Sequence, residues 1–463
     1  MAANALDEQG YQVPLTVLVD KERNRVVYAE SGNDFVDVLL SFLTLPLGTI
    51  ARLVAVESNI EAVEFGSLSK LYQSVSELDE KCLWNQTCKQ MLLKPRNSME
   101  AYCKKMKLNI DETARLMFFY CKDDNCTGKN GLHASTLRDQ RCICGKMLNV
   151  EVTLDSPAEN GFVKETCTFI ISDDLCVMPN ILGTSLNIFQ KLGINDIDVI
   201  DKQTVHFSKS EVIDLLKLSL TSKTPLSDVI FKKDKFVGNL DPRNRLEFWT
   251  GEVDEQRNES NKMSVKVVRR KSNEQILFVE GDEDFADFVF SFLTFPMGGV
   301  VSMFKGLSFL NCLDNLYNSM TELCPVRCLS SQYVKNKLIN SVIGMQFELM
   351  NQILPIDVES SAYSISNKDV KLVNPKSPSS GGFVNGPMSF MVTDDLVVSP
   401  MSSISGLEYL KRMKVPLNDV EERVISIGLK EGLSILKASL TSTSSFTNGL
   451  SFFVTQQFSL EKF

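Results

Sequence analysis

Four cysteines in this chain are spaced as metal ligands are. Cys121 and Cys126 stand in FYCKDDNC, and Cys142 and Cys144 follow in RCICGKM after a loop of about fifteen residues. Two pairs of thiols divided by such a loop form the layout of a zinc ribbon, where each pair sits on a tight turn and four thiolates close a tetrahedron. Gly145, directly after Cys144, suits a turn in which the backbone folds back under the ion. The spacings are C-x4-C and C-x-C, not the paired C-x2-C of the standard motif. An all-thiolate site leaves no open coordination position, so the zinc expected here is structural and not catalytic. The competing reading is four core thiols, because free cysteine is among the most buried residue types. Spacing and segment size together favour the metal. His133 lies in the same loop and could replace one thiol, although a lone loop histidine is more often solvated.

Other candidate chemistry is thin. The acidic pairs Asp173/Asp174 and Asp394/Asp395 each follow an apolar strand-like run and could hold a cation or share a proton. In a strand, however, neighbouring side chains point to opposite faces, and Asp-Asp at a hairpin turn satisfies backbone donors without any ligand. The turn is the favoured reading. His133 and His206 are the only histidines, which removes most histidine-dependent general-base chemistry. No GxSxG elbow, GxxxxGK[ST] phosphate loop or GxGxxG turn occurs. The sequence therefore leans away from an enzyme. Cys82 with Cys88, and Cys324 with Cys328, are read as helix-face or core cysteines.

The elements that would position these residues are written twice. Phe35 to Ile50 (FVDVLLSFLTLPLGTI) and Phe285 to Val300 (FADFVFSFLTFPMGGV) match at a shift of 250, with eight of sixteen positions identical. Upstream, residues 15–35 lie over 265–285 as two hairpins, each a β-branched run, a charged turn and a second apolar run. Downstream, LSKLYQSVSEL (68–78) lies over LDNLYNSMTEL (313–323) with helical spacing, and GFV, SDDL/TDDL and LTS recur in one order. This predicts an α+β fold in tandem duplication: a first repeat over residues 12–231, a linker over 232–262 and a second repeat over 263–463. Between the matched Asp111/Gly161 and Asp357/Gly382 the first copy is longer by 25 residues. The cysteine segment, residues 118–150, is thus expected to be a self-contained ribbon-like insert in the first repeat only, too small to bury a core without a metal. The tract 371–386, rich in Pro, Gly and Ser, reads as an exposed loop.

Composition narrows the class. With 463 residues, 43% of them hydrophobic and 23% charged, the chain is globular in character. A net charge of −9 argues against a nucleic-acid surface. The apolar stretch 35–56 is interrupted by Asp37, Pro46, Gly48 and Arg52, which favours a buried helix that stops at Pro46, as its counterpart stops at Pro296, over a membrane segment. The opening MAANALDEQG carries neither a secretory nor an organellar signal, so a cytoplasmic location, or a nuclear one, is expected.

The repeated hairpins, GNDFVDVLLSFLTLPLGTI, the LYQSVSEL helix, the cysteine segment, the SDDLxVxP segment and KLSLTS together resemble the plant family called domain of unknown function 674. That resemblance implies a plant lineage, tandem related domains and no established activity. The resulting expectation is a non-enzymatic interaction protein carrying a structural zinc ribbon, with a protein partner. The alternative is an enzyme or small-molecule binder with a site in the cleft between the two repeats.

Overall fold

The computed structural model describes residues 11–111, 116–123, 132–153, 161–231, 262–359, 364–365 and 368–460. In chain order the strands of the first half are β1 (Val13–Asp20), β2 (Arg25–Ser31), β3 (Phe118–Tyr120), β4 (Leu132–Ser135), β5 (Val150–Val152), β6 (Phe169–Ser172), β7 (Val177–Pro179) and β8 (Ile200–Phe207). Those of the second half are β9 (Met263–Arg270), β10 (Ile276–Gly281), β11 (Ser364–Ile365), β12 (Lys368–Leu372), β13 (Phe390–Thr393), β14 (Val398–Pro400) and β15 (Val420–Ile427). Helices and sheets are both abundant, and the architecture is α+β.

Alternation makes the first hairpin. Val13, Leu15, Val17 and Val19 are buried along β1 while Pro14 is exposed, the period of two that seats one strand face on a core. β1 pairs antiparallel with both β2 and β8, and the sheet runs β7-β6-β2-β1-β8. The second half has a sheet of the same form, β14-β13-β10-β9-β15. Behind each hairpin comes a helix sunk in the core. In Asn33–Thr44 every residue from Phe35 to Thr44 is buried. That helix ends before Pro46, whose ring would clash with the preceding turn, and Pro46 becomes the cap of the next helix, Leu47–Val54. Pro296 does the same for Met297–Met303. Among the described residues, no helix is long and apolar enough to cross a membrane.

The two proline turns meet. Leu47 N–H donates to Phe295 O and Met297 N–H to Leu45 O, each at 2.9 Å, so the turns bridge reciprocally across the centre of the molecule. The glycines of the shared motif permit that approach: a Cβ on Gly48 would stand 2.9 Å from Leu293 O, and one on Gly298 3.0 Å from Leu43 O. Helices are exchanged as well. Helix Leu68–Glu77 of the first half lies against β14 of the second, where Ser74 Oγ accepts Val398 N–H at 2.8 Å. Helix Asn311–Glu322 of the second half lies against β7 of the first, with Ser319 Oγ accepting Val177 N–H at 2.9 Å. One hydrophobic cluster runs unbroken through both halves. The independent motion that a polar connection at 232–262 suggests is therefore not available: each half completes its core with a helix of the other. Of that connection, residues 232–261 lie outside the described residues.

A third sheet, β11-β12-β4-β3-β5, straddles the halves. β12 pairs in parallel with β4, placing Val370 opposite Leu132 and Leu372 opposite Ala134. Phe118, Leu132, Ala134, Met345 and Val370 bury one another beneath it. The cysteine-bearing segment is thus not self-contained, because its small apolar core is filled from residues 345 and 370 of the second half. The tract 371–386 also differs from the exposed loop expected of it. It begins in β12, and Lys376, Ser377, Phe383 and Val384 are buried, with Lys376 Nζ donating to Gln346 O.

Candidate functional site

Cys121 follows β3 directly, and Cys142 and Cys144 lie on the turn between β4 and β5. Pairing of β3 with β5 and with β4 brings these segments together. The turn is tight: Gly145 N–H donates to Cys142 O and Cys142 N–H to Lys146 O, both at 2.8 Å, and Gly145 has φ 84°. A side chain at that φ would be strained, which accounts for the glycine. The sulfurs of Cys121, Cys142 and Cys144 all lie within 4.8 Å of one another, and the Cys121 and Cys144 sulfurs are 3.6 Å apart. Cys121 and Cys142 are buried and Cys144 is exposed. No S–S bond joins them, so three soft donors converge as ligands of one ion would.

The surroundings suit thiolates in part. Burial pushes the Cys121 thiol up, while the Asp123 N–H directed at its sulfur pulls it down. The Lys146 ammonium bonds Asp123 at 2.6 Å, and that carboxylate holds its proton more firmly. A cation at the edge of a thiolate cluster offsets the excess negative charge of a metal–thiolate centre. Cys126, the fourth cysteine of the pattern, lies outside the described residues. His133 is not the solvated loop residue expected. It is buried on β4, its carbonyl accepts Cys121 N–H at 3.1 Å, and its ring is not part of the sulfur group.

The acidic pairs sit on the β6–β7 and β13–β14 hairpin turns, where Leu175 and Leu396 take φ 65° and 64°. Within each pair the carboxylates diverge. Asp173 is buried and caps the helix Pro225–Ile230 through Ser227, and Arg25 Nε donates to it at 2.9 Å. Asp174 instead bonds Ser172 Oγ and Asn315 Nδ2. Asp394 is buried and caps the helix Ser445–Leu460 through Phe446 N–H and Thr447 N–H. Burial pushes Asp394 up to about 6. Their capping role explains the residue type; the burial was not legible in the turn signature. Of the remaining paired cysteines, Cys82, Cys88 and Cys328 are core thiols, whereas Cys324 is exposed, contrary to the core reading.

The carboxylates that sequence reasoning passed over are Asp37 and Asp287, each on a buried helix of the repeated motif. Asp37 Oδ1 accepts Phe162 N–H at 2.8 Å and Val163 N–H at 3.0 Å; Asp287 Oδ1 accepts Phe383 N–H at 2.7 Å and Val384 N–H at 3.1 Å. Desolvation outweighs those bonds and pushes both groups up to about 7. The segments they hold then cross to the other half: Ser330 N–H donates to Phe162 O at 2.9 Å, and Trp84 N–H to Phe383 O at 2.8 Å. The recurrence of GFV downstream of each DFxD helix, in the same order in both copies, was the signal that could have paired them.

At the two proline turns, the seam between the halves, where a ligand cleft was the alternative expectation, is filled by side chains. Leu45, Leu47, Phe295 and Met297 are fully buried there.

Comparison with known proteins returns one family. A model described as "Protein of unknown function (DUF674)" matches residues 9–431. No curated protein and no solved structure matches the chain.

Proposed function

Since the chain belongs to the DUF674 family, whose function is unknown, we propose that it is a non-enzymatic interaction protein in which a structural zinc fixes a binding face. The observation that carries this is the convergence of the Cys121, Cys142 and Cys144 sulfurs on a sheet contributed by both halves. Cys126 supplies the fourth thiolate in this reading. The ion joins the end of β3 to the β4–β5 turn, and through β4 and β12 it also secures the contact between halves. Beside it, Ile143 and Met147 are exposed apolar residues on the metal-bearing turn, the kind of surface that partners cover. Tandem duplication of one α+β domain, a plant origin and a cytoplasmic location complete the proposal. The matched motifs support the first and the family resemblance the second.

The test is elemental analysis of protein purified without chelator or nickel affinity, beside a Cys142→Ser, Cys144→Ser variant. Near one zinc per chain in the parent and none in the variant is the expected outcome. Metal-free parent protein that folds normally would refute the centre. For the interaction, Ile143→Asp with Met147→Asp should abolish capture of a cross-linked partner while leaving zinc content and thermal unfolding unchanged. Retained capture would place the binding face elsewhere.

A further inference from the structure

The junction between the halves is built twice, and only one copy of it gathers three cysteines. Cys82 O accepts Asn385 N–H and Cys328 O accepts Lys164 N–H, each at 2.9 Å, and the residue after each cysteine bridges a valine of the opposite half, Leu83 to Val384 and Leu329 to Val163. Cys82 and Cys328 are therefore counterparts. They end the runs LDEKCL (78–83) and LCPVRCL (323–329), so Cys324 stands where the first half has Asp79. Asp79 caps its turn as an aspartate commonly does, a carboxylate oxygen accepting Lys81 N–H at 2.9 Å. Across the junction, Cys167 donates its thiol to Arg327 O at 2.9 Å, and in GFVNGPMSF (382–390) its counterpart is Met388.

A place made for a carboxylate suits a thiolate. The N–H groups of Arg327 and Val326 point at the Cys324 sulfur and pull its thiol down, and the Arg327 and Lys335 cations act in the same sense. Lys335 is pinned at that spot, its ammonium donating to Thr321 O at 2.6 Å and to Leu323 O at 2.8 Å. Cys324 is exposed, so a reagent in solution reaches it. Cys328 is the opposite case: it is buried, and burial, with the neighbouring thiols of Cys167 and Cys324, pushes its thiol up. The 2.9 Å bond from Cys328 N–H to Cys324 O closes the turn and keeps the two residues one helical pitch apart, about the α-carbon span of a disulfide. An exposed thiolate beside a protonated thiol lets oxidation start at one sulfur and finish at the other.

We propose that Cys324 is a modification site that takes an oxygen from a hydroperoxide, with Cys328 as the resolving thiol. The Cys324 sulfur attacks one peroxide oxygen and the O–O bond breaks; the sulfur is oxidised to a sulfenic acid, and the hydroperoxide is reduced to an alcohol or water, which takes its proton from solvent. Cys328 then attacks that sulfur. The S–O bond breaks as the S–S bond forms, and the hydroxyl leaves as water with the Cys328 proton. The change is a stoichiometric modification of the chain, separate from Cys121, Cys142 and Cys144, and its failure would leave the zinc reading untouched.

The experiment treats the reduced full chain with hydrogen peroxide, blocks the remaining thiols and digests with trypsin. Trypsin cuts after Arg327 and so separates Cys324 from Cys328 unless a disulfide joins them. The parent should give the joined peptides, and Cys328→Ser should instead give a dimedone-trapped sulfenic acid on Cys324. Cys324→Asp restores the carboxylate cap of the first half, so it should match the parent by circular dichroism yet yield no joined peptide. Iodoacetamide at pH 7 should alkylate Cys324 at least about threefold faster in the folded parent than in urea, because the thiolate is the nucleophile. Cys324 left unoxidised, a disulfide from Cys324 to a cysteine other than Cys328, or equal alkylation rates in folded and unfolded chain would each overturn the assignment.

Discussion

Titration of Asp37 and Asp287 should make this fold lose stability between about pH 4 and pH 7, opposite to the usual carboxylate effect. Each is at most 3% exposed, and burial lifts both from 3.8 to about 7. In that interval the folded chain holds two protons that the unfolded chain has released, so stability is greatest below the unfolded value and falls as pH rises toward the folded one. At about 1.4 kcal/mol per unit, the two units from pH 5 to pH 7 correspond to roughly 2–3 kcal/mol for each carboxyl. Urea unfolding at pH 5, 6 and 7 measures it. The decisive comparison is with Asp37→Asn and Asp287→Asn, because Asn keeps an oxygen to accept the two N–H donors yet cannot ionise. Each variant should flatten the profile by one carboxyl's share. Asp394, Asp173 and Asp314 are also raised by burial and act in the same direction, but they are unchanged in the variants and cancel. Lys376 is lowered to about 8, so its contribution has the opposite sign and belongs to higher pH. Parallel slopes in parent and variants, or stability that climbs from pH 5 to pH 7, would refute the reasoning.

Glycine at the same anchors is predicted to be irreplaceable. A Cβ on Gly161, at φ 73°, would stand 1.9 Å from Asp37 Oδ2, and one on Gly382 1.7 Å from Asp287 Oδ2, so Gly161→Ala and Gly382→Ala should each cost about 3 kcal/mol or more in chemical denaturation. Phe295→Ala at the seam should cost about 3–5 kcal/mol and lower a single transition seen equally by fluorescence and circular dichroism; two separated transitions would contradict one shared core. Ser319→Ala should cost about 1–3 kcal/mol by leaving Val177 N–H buried without its acceptor, and a neutral result would mean that the exchanged helix is held by packing alone.

Local periodicity carried the hairpins and the buried helices into view before any coordinates. The alternation of Val13, Leu15, Val17 and Val19 is a statement about neighbours two residues apart, and the stop at Pro46 is a statement about one ring. What joins segments far apart in the chain is of another kind. Asp37 meets residues 125 and 126 positions away, and Ser74 meets Val398 at 324. A repeated motif states that two segments are alike, not whether each packs within its own copy or against the other. Composition misled at 371–386 for a related reason: small residues mark loops, but they also mark places where backbone must come close, as Gly382 does to Asp287. The sulfur group was legible because thiols at turn spacing are rare and specific, whereas the strand completing its sheet, β12, carries no cysteine at all.

The interlock also bears on where function can reside. Matched positions of the two halves do the same work: Pro46 and Pro296 bridge each other, Ser74 and Ser319 each accept an N–H from the opposite half, and Asp37 and Asp287 each anchor a GFV segment of their own half. A change at one such position alters the shared core, so these pairs are constrained by folding and explain the similarity of the motifs without any ligand. Positions free to differ are those outside the pairs, and the chain differs in places of chemical consequence. One is the cysteine segment, which lies in the first half alone yet completes its sheet with β12. Another is Gln275 in the place of Arg25, which pairs Asp173 with a guanidinium where Asp394 is held by Phe446 N–H, Thr447 N–H and the Thr447 hydroxyl. Similarity between the halves builds the scaffold, and it is their differences that can bind something.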